Sequence, residues 1–299
     1  RLVSDWSSDV CSSDLCVRAR AAHRPFDPER IERFTQLAGA LNAAVLPRVA
    51  EPPLSNDSWR NRAFFEAYFS NYIEGTEFEV GEARDIVFQQ RVPESRPQDA
   101  HDILGTFKLV DDRAESRRVP GTYDEFLELL RERHAVLMAA RPGEGPGRFK
   151  EKPNRAGATS FVAPDLVRGT LQQGFELARA LTDGLARGLY LMFLIAEVHP
   201  FQDGNGRVAR VFLNAELSHA GLGRAIIPTV LRDDYILALK GLTNSGRTEP
   251  YFKTVVLAQQ FTAAVNFEDF DAAVRELERR NAFRESDEAR LNASALSPQ

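Results

Sequence analysis

Cysteine, methionine and tryptophan are scarce: the 299 residues hold two of each. Cys11 and Cys16 sit close together near one end, too few for a disulfide framework or a zinc site, and a reducing, cytoplasmic setting is the expectation. Long apolar runs are missing as well. The longest, 189–198, is interrupted by Glu197 and falls short of the roughly 20 residues that span a bilayer, so a soluble chain with no membrane partner is expected. Positive charge is not in excess either, with 38 Lys and Arg against 43 Asp and Glu and a net charge of −5 at pH 7. Such a chain has no general field to hold nucleic acid, so any phosphate must be held locally. No helix-turn-helix pattern or basic segment supports nucleic-acid binding in the part present. What is there, 43% hydrophobic and 27% charged residues, suffices for one large domain or two small cores and excludes a disordered or fibrous protein.

Residues 1–15 read RLVSDWSSDVCSSDL and have neither the basic start nor the apolar centre of a signal peptide. Synonymous codons write DWSSDVCSSDL as a widely used sequencing adapter. The expectation is translated adapter joined to a truncated gene, with the native part beginning near Cys16 and its true start missing. A natural disordered tail is the alternative.

Helical periodicity dominates the rest. Asp27 and Pro28 form an N-cap and N1 pair, followed by Ile31, Phe34, Ala38, Leu41 and Val45 at helical spacing until Pro47. A second helix is expected over 59–73, its Phe64, Phe65, Tyr68, Phe69 and Tyr72 serving as core. Further helices are expected at 79–90, 97–112, 124–140, 166–186, 188–198, 207–220, 233–242 and 248–283, the last broken near Asn266. Residues 141–164 are dense in Gly and Pro and predict a loop or short hairpin. The fold class is all-α with that one hairpin. The tail 284–299 is polar and expected to be disordered.

The chemistry concentrates at 199–210, HPFQDGNGRVAR, which follows the apolar helix and opens the next one. Gly204, Asn205 and Gly206 let the backbone turn with its N–H groups converging, and the helix N-terminus adds partial positive charge, which together form an anion nest. Arg207 and Arg210, three apart, fall on one helix face where two guanidinium forks can clasp phosphates. Asp203 would repel an anion unless it held Mg²⁺, which bridges phosphate oxygens and takes one or two carboxylates. His199, at a helix end, is placed as a general base. His23, His101, His134 and His219 have no such surroundings and read as structural or surface residues.

This string resembles the signature of the Fic family, His-Pro-Phe-x-Asp/Glu-Gly-Asn-Gly-Arg-x-x-Arg, at every specified position. The resemblance implies a helical core that transfers AMP from ATP to a Ser, Thr or Tyr hydroxyl of a protein, the chain itself being one candidate. His199 would deprotonate the target. Asp203 would hold Mg²⁺ across the α- and β-phosphates. The run Gly204, Asn205, Gly206, Arg207, Val208, Ala209 and Arg210 would contact the nucleotide, with both arginines on the β- and γ-phosphates. Phe201 would anchor the loop. Residues 148–164 sit where the family has a flap, a hairpin that aligns the target by strand addition. Tyr235 and Asn244 resemble its adenine pocket. The implied organisation is an N-terminal helical region at 16–96, the core at 97–261, and a C-terminal helix and tail at 262–299.

SNYIEG, residues 70–75, resembles the family's inhibitory motif, Ser/Thr-x-x-x-Glu-Gly/Asn. Ser70 and Glu74 would then lie on an N-terminal inhibitory helix, and Glu74 could pair with Arg210 in place of the γ-phosphate. The bland alternative makes Glu74 a helix terminus before a C′ glycine. Other donors (UMP, phosphocholine), removal of AMP, and a non-catalytic nucleotide-sensing module remain alternatives. The target and the oligomeric state are left open.

Overall fold

The structure is a computed structural model that describes residues 25–157 and 159–292. The adapter-like residues 1–15, both cysteines and residues 293–299 lie outside the described residues.

Eleven α-helices and one two-stranded hairpin make up the described chain. They are α1 (Pro28–Ala43), α2 (Asn56–Ile73), α3 (Val80–Gln89), α4 (Pro97–Asp111), α5 (Tyr123–Leu137), β1 (Arg155–Ala156), β2 (Thr159–Ser160), α6 (Val167–Arg179), α7 (Gly184–Val198), α8 (Asn205–His219), α9 (Arg232–Ser245), α10 (Glu249–Ala263) and α11 (Phe270–Arg279). Their ends are chemically marked. The Asp27 carboxylate caps α1 with Pro28 at N1, Ser55 caps α2, and Thr122 and Glu125 form a reciprocal capping box on α5. Each such cap satisfies N–H groups that a first turn leaves orphaned and stabilises by about 1 kcal/mol.

The core is built on α7, apolar on nearly every side: Leu189, Leu191, Met192, Leu194 and Ile195 are all fully buried. α8 crosses it closely because Gly188 leaves room; a β-carbon there would stand 3.1 Å from the Leu213 carbonyl oxygen. α1 covers another side, with Phe34 edge-on to Tyr190 and Phe193 at 6.2 and 6.0 Å between centroids. The aromatic face of α2 is core: Phe64, Phe65, Tyr68 and Phe69 are buried, Phe64 and Phe65 against Phe270 and Tyr68 and Phe69 against Phe283.

Two expectations shift. The stretch 166–186 does not run as one helix. α6 stops at Arg179, and α7 starts at Gly184 because the Asp183 carboxylate accepts from the Leu185 and Ala186 N–H groups. Disorder expected from 284 onward is not found over 284–292, where Tyr72 donates to Glu285 (2.6 Å) and Asn281 to the Arg290 carbonyl (2.9 Å). The Gly/Pro-rich segment forms the short hairpin, antiparallel with Arg155 opposite Ser160 and Ala156 opposite Thr159.

Candidate active site

His199 ends α7 in the left-handed region, φ 52° and ψ 59°, a conformation uncommon for a non-glycine residue and held only by its surroundings. That turn swings the chain off the buried helix into the loop before α8. The imidazole Nδ1 lies 3.2 Å from the Ala196 carbonyl oxygen. A carbonyl can only accept, so Nδ1 carries the hydrogen and Nε2 keeps its lone pair. Phe161, just past β2, stacks on the imidazole at 3.7 Å and 5°. Burial pushes the His199 pKa down to about 4, so the ring is neutral near pH 7.

The loop is held from three sides. His134 of α5 donates from Nε2 to the Asp203 carbonyl (2.9 Å), accepts at Nδ1 from the Gly147 N–H (3.0 Å), and stacks on Phe201 at 3.6 Å. Desolvation takes its pKa down to about 4, which suits a neutral ring that must both donate and accept. Residues 150–154 supply the second side: the Lys150 N–H donates to the Pro200 carbonyl and the Asn154 amide to that of Phe201, both 2.9 Å. Within the loop, the Asn205 side chain accepts from the Phe201 N–H and donates to the Phe201 carbonyl, each at 2.9 Å. Its amide therefore braces the turn.

Gly204 takes φ 76°, and a β-carbon on it would stand 2.8 Å from the Met138 sulfur. Gly206 opens the first turn of α8, where a β-carbon would overlap the Glu74 carboxylate. An anion already lies against this helix N-terminus, and it belongs to the chain itself. Arg210 Nη2 bonds Glu74 Oε1 at 2.7 Å and the Ser70 carbonyl at 2.7 Å, and Arg210 Nε bonds the Ser70 hydroxyl at 3.0 Å. Glu66 extends the row, accepting from Asn214 at 2.8 Å and from Arg224 at 2.6 Å. Glu66, Ser70 and Glu74 recur every fourth residue, so one face of α2 meets Asn214 and Arg210 on one face of α8.

Arg207 points elsewhere. It is buried, with Asp102 of α4 at 2.8 Å and Asp203 at 3.3 Å. Val208 and Ala209 are buried in α8. Tyr235 is buried and interacts with the Arg210 guanidinium, whereas Asn244 is exposed in the last turn of α9; the two expected adenine contacts have different surroundings. The roles of Asp102, His134 and the Glu66–Asn214 pair had no local signal in the sequence. Only their partners, far along the chain, give them meaning.

Asp203 is about half exposed, its side chain held by Arg207 and by the Gly204 N–H at 2.6 Å. Among the described residues no group of three or more His, Cys, Asp or Glu is gathered to hold a metal. A half-exposed carboxylate beside an anion nest still fits Mg²⁺, which binds through one or two carboxylates together with substrate phosphates. No helix among the described residues is long and apolar enough to cross a membrane.

Residues 124–217, from α5 through most of α8, match the family model described as Fic/DOC family. Two curated relatives are "Protein adenylyltransferase fic-1" of Caenorhabditis elegans, 25% identical over 85% of this chain and 53% of its own length, and "Protein adenylyltransferase Fic" of Drosophila melanogaster, 30% identical over 82% of this chain and 50% of its own. Residues 124–217 carry the Fic/DOC match, and the chain is related to known Fic adenylyltransferases. It spans about half the length of the curated relatives it matches. A crystal structure of a Fic family protein from Desulfovibrio desulfuricans G20 superposes with a TM-score of 0.59 at 18% identity, covering 84% of this chain and 75% of that one. The fold is thus a mostly helical Fic-type core with a short antiparallel hairpin. The helices that position His199 and the loop, α5, α7 and α8, lie almost entirely in the Fic/DOC match.

Proposed function

We propose that the chain is a protein adenylyltransferase restrained by its own Glu74. The observation that carries this reading is the seat of the Glu74 carboxylate, bonded to the buried Arg210 at 2.7 Å and lying against Gly206 at the start of α8. A site that accepts a carboxylate there is built to accept a phosphate.

In the transfer, His199 Nε2 takes the proton of a Ser, Thr or Tyr hydroxyl. The freed oxygen attacks the α-phosphorus of ATP, forming a new P–O bond as the bond to the β-phosphate oxygen breaks and pyrophosphate leaves. Backbone N–H groups at Asn205 and Gly206 receive the phosphates, and Arg210, once free of Glu74, pairs with the outermost. Asp203 would hold Mg²⁺, which would offset phosphate charge. With Glu74 in place the triphosphate cannot engage Arg210, and the α-phosphorus is not aligned with the incoming oxygen, a misplacement that costs on the order of 10²-fold in rate.

The test incubates parent, Glu74→Gly and Glu74→Gly/His199→Ala proteins with α-labelled ATP and Mg²⁺ and measures label retained on protein. Label in Glu74→Gly alone supports the reading. Equal label in parent and Glu74→Gly removes the restraint. No label from ATP, but label from UTP or CDP-choline, replaces the donor; nucleotide binding without any transfer favours a sensing module.

A further inference from the structure

The hairpin at 155–160 is too short to hold itself in place: two residue pairs do not make an independently stable ribbon. Its position is set from outside. The first limb is fixed to the catalytic loop by the Lys150 and Asn154 bonds already described. The second limb is fixed by a residue far upstream, in α1.

Arg30 spends its two terminal nitrogens on two different elements. Nη2 donates to the Ser160 carbonyl at the end of β2 (2.8 Å), and Nη1 pairs with Glu197 Oε1 (2.7 Å) in the last turn of α7. Glu197 is buried, and its other oxygen accepts from the Thr243 hydroxyl of α9 at 2.6 Å. The carboxylate is therefore ion-paired to α1 through Oε1 and hydrogen-bonded to α9 through Oε2. One planar fork thus measures the separation between the flap strand and the helix that delivers His199. Phe161, bonded directly to Ser160, is the ring that stacks on the His199 imidazole.

We infer that Arg30 is a positioning residue that registers the flap on the last turn of α7, and through Phe161 fixes the cover over His199. The inference rests on the proposed transfer reaction for its functional consequence and on geometry alone for the tether. A lysine cannot take this place. Its single compact ammonium can compensate Glu197 but cannot span two acceptors as a rigid fork does.

The experiment uses two variants in the Glu74→Gly background. Arg30→Lys keeps a cation against Glu197. Arg30→Met/Glu197→Gln removes the tether without leaving an unpaired buried charge, the commonest reason such a variant fails to fold. Hydrogen exchange of the 155–161 segment is read by mass spectrometry, and label retained from α-labelled ATP is read as a function of ATP concentration. The expected result is exchange about tenfold faster over 155–161 in both variants, with the maximal transfer rate about tenfold lower and half-saturating ATP unchanged. Flap exchange at the Glu74→Gly rate in both variants overturns the inference. So does faster exchange with undiminished transfer, or full rescue of both readouts by Arg30→Lys, which would reduce Arg30 to a counter-ion for Glu197. Faster exchange in a background that transfers no label supports the tether while defeating the transferase reading.

Discussion

The His134 and Phe201 rings lie parallel, 3.6 Å apart and 2° from coplanar in orientation. This stack joins α5 to the loop 199–204 and, with the two imidazole hydrogen bonds, makes a histidine outside the signature part of its foundation. Replacing His134 by Ala removes the stack and orphans the buried Gly147 N–H. The expected cost is about 2–4 kcal/mol, read by urea denaturation, with transfer in the Glu74→Gly background reduced in parallel. A loss below about 1 kcal/mol would show that the loop holds itself.

Gly204 carries two separable demands. Its φ of 76° disfavours a side chain, and the Met138 sulfur fills the space a β-carbon would need. Gly204→Ala is expected to lose about 1–3 kcal/mol. Adding Met138→Ala relieves the clash and not the backbone, so the double variant should stay less stable than Met138→Ala alone. Equality of those two in thermal melts would assign the whole effect to the clash.

The pH dependence follows from the cover on His199. Burial disfavours the imidazolium and holds the pKa at about 4, so the neutral base persists well below the ordinary histidine range near 6.5. In nucleotide-free protein the His199 ring proton resonance should titrate near pH 4, and Phe161→Ala should move that midpoint up toward 6.5 by admitting water. The same depressed pKa means the folded state binds fewer protons than the unfolded chain between about pH 4 and 6.5. This contribution to stability is present above pH 6.5 and is lost as pH falls through that window. A midpoint near 6.5 in the parent would contradict the stacked geometry.

Asp203, half exposed, should be replaceable without harm to the fold. Asp203→Asn is expected to stay within about 0.5 kcal/mol of parent stability. Its ATP affinity in the presence of Mg²⁺, measured by calorimetry in the Glu74→Gly background, should fall about tenfold, or about 1.4 kcal/mol, with little change when Mg²⁺ is omitted. Equal losses with and without Mg²⁺ would mean that Asp203 serves the loop and not the ion.

The sequence pattern reached the helices and the loop because their signals are local: caps, prolines, apolar spacing, and a contiguous signature. It also brought Glu74 to Arg210 through a resemblance, and the two meet at 2.7 Å. It did not reach what depends on distant partners. Arg207 and Arg210 share a helix face by spacing, yet Arg207 turns to Asp102, a residue of α4 whose carboxylate carries no local mark. Arg30 is one of many charged residues on an amphipathic helix until Glu197 and Ser160 are folded against it. The break before α7 was readable in Thr182–Asp183–Gly184, a cap signal hidden by the apolar residues on both sides. Order over 284–292 comes from single bonds such as Tyr72 to Glu285, which composition does not encode.

Arg210 is a cation sunk among α2, α8 and α9 with its side chain 7% exposed, and a charge so placed requires a counter-ion at all times. On the proposed reading, Glu74 and a nucleotide phosphate are alternative counter-ions of one guanidinium, so the chain's own folding energy depends on which is present. Glu74→Gly protein should therefore melt below the parent when alone and gain more from ATP than the parent does. The restraint is also reciprocal: whatever factor Glu74 takes from phosphate affinity, phosphate takes from the docking of α2. On that reading, a helix end that restrains the active site is, seen from the core, a resident ligand that stabilises the nucleotide-free protein.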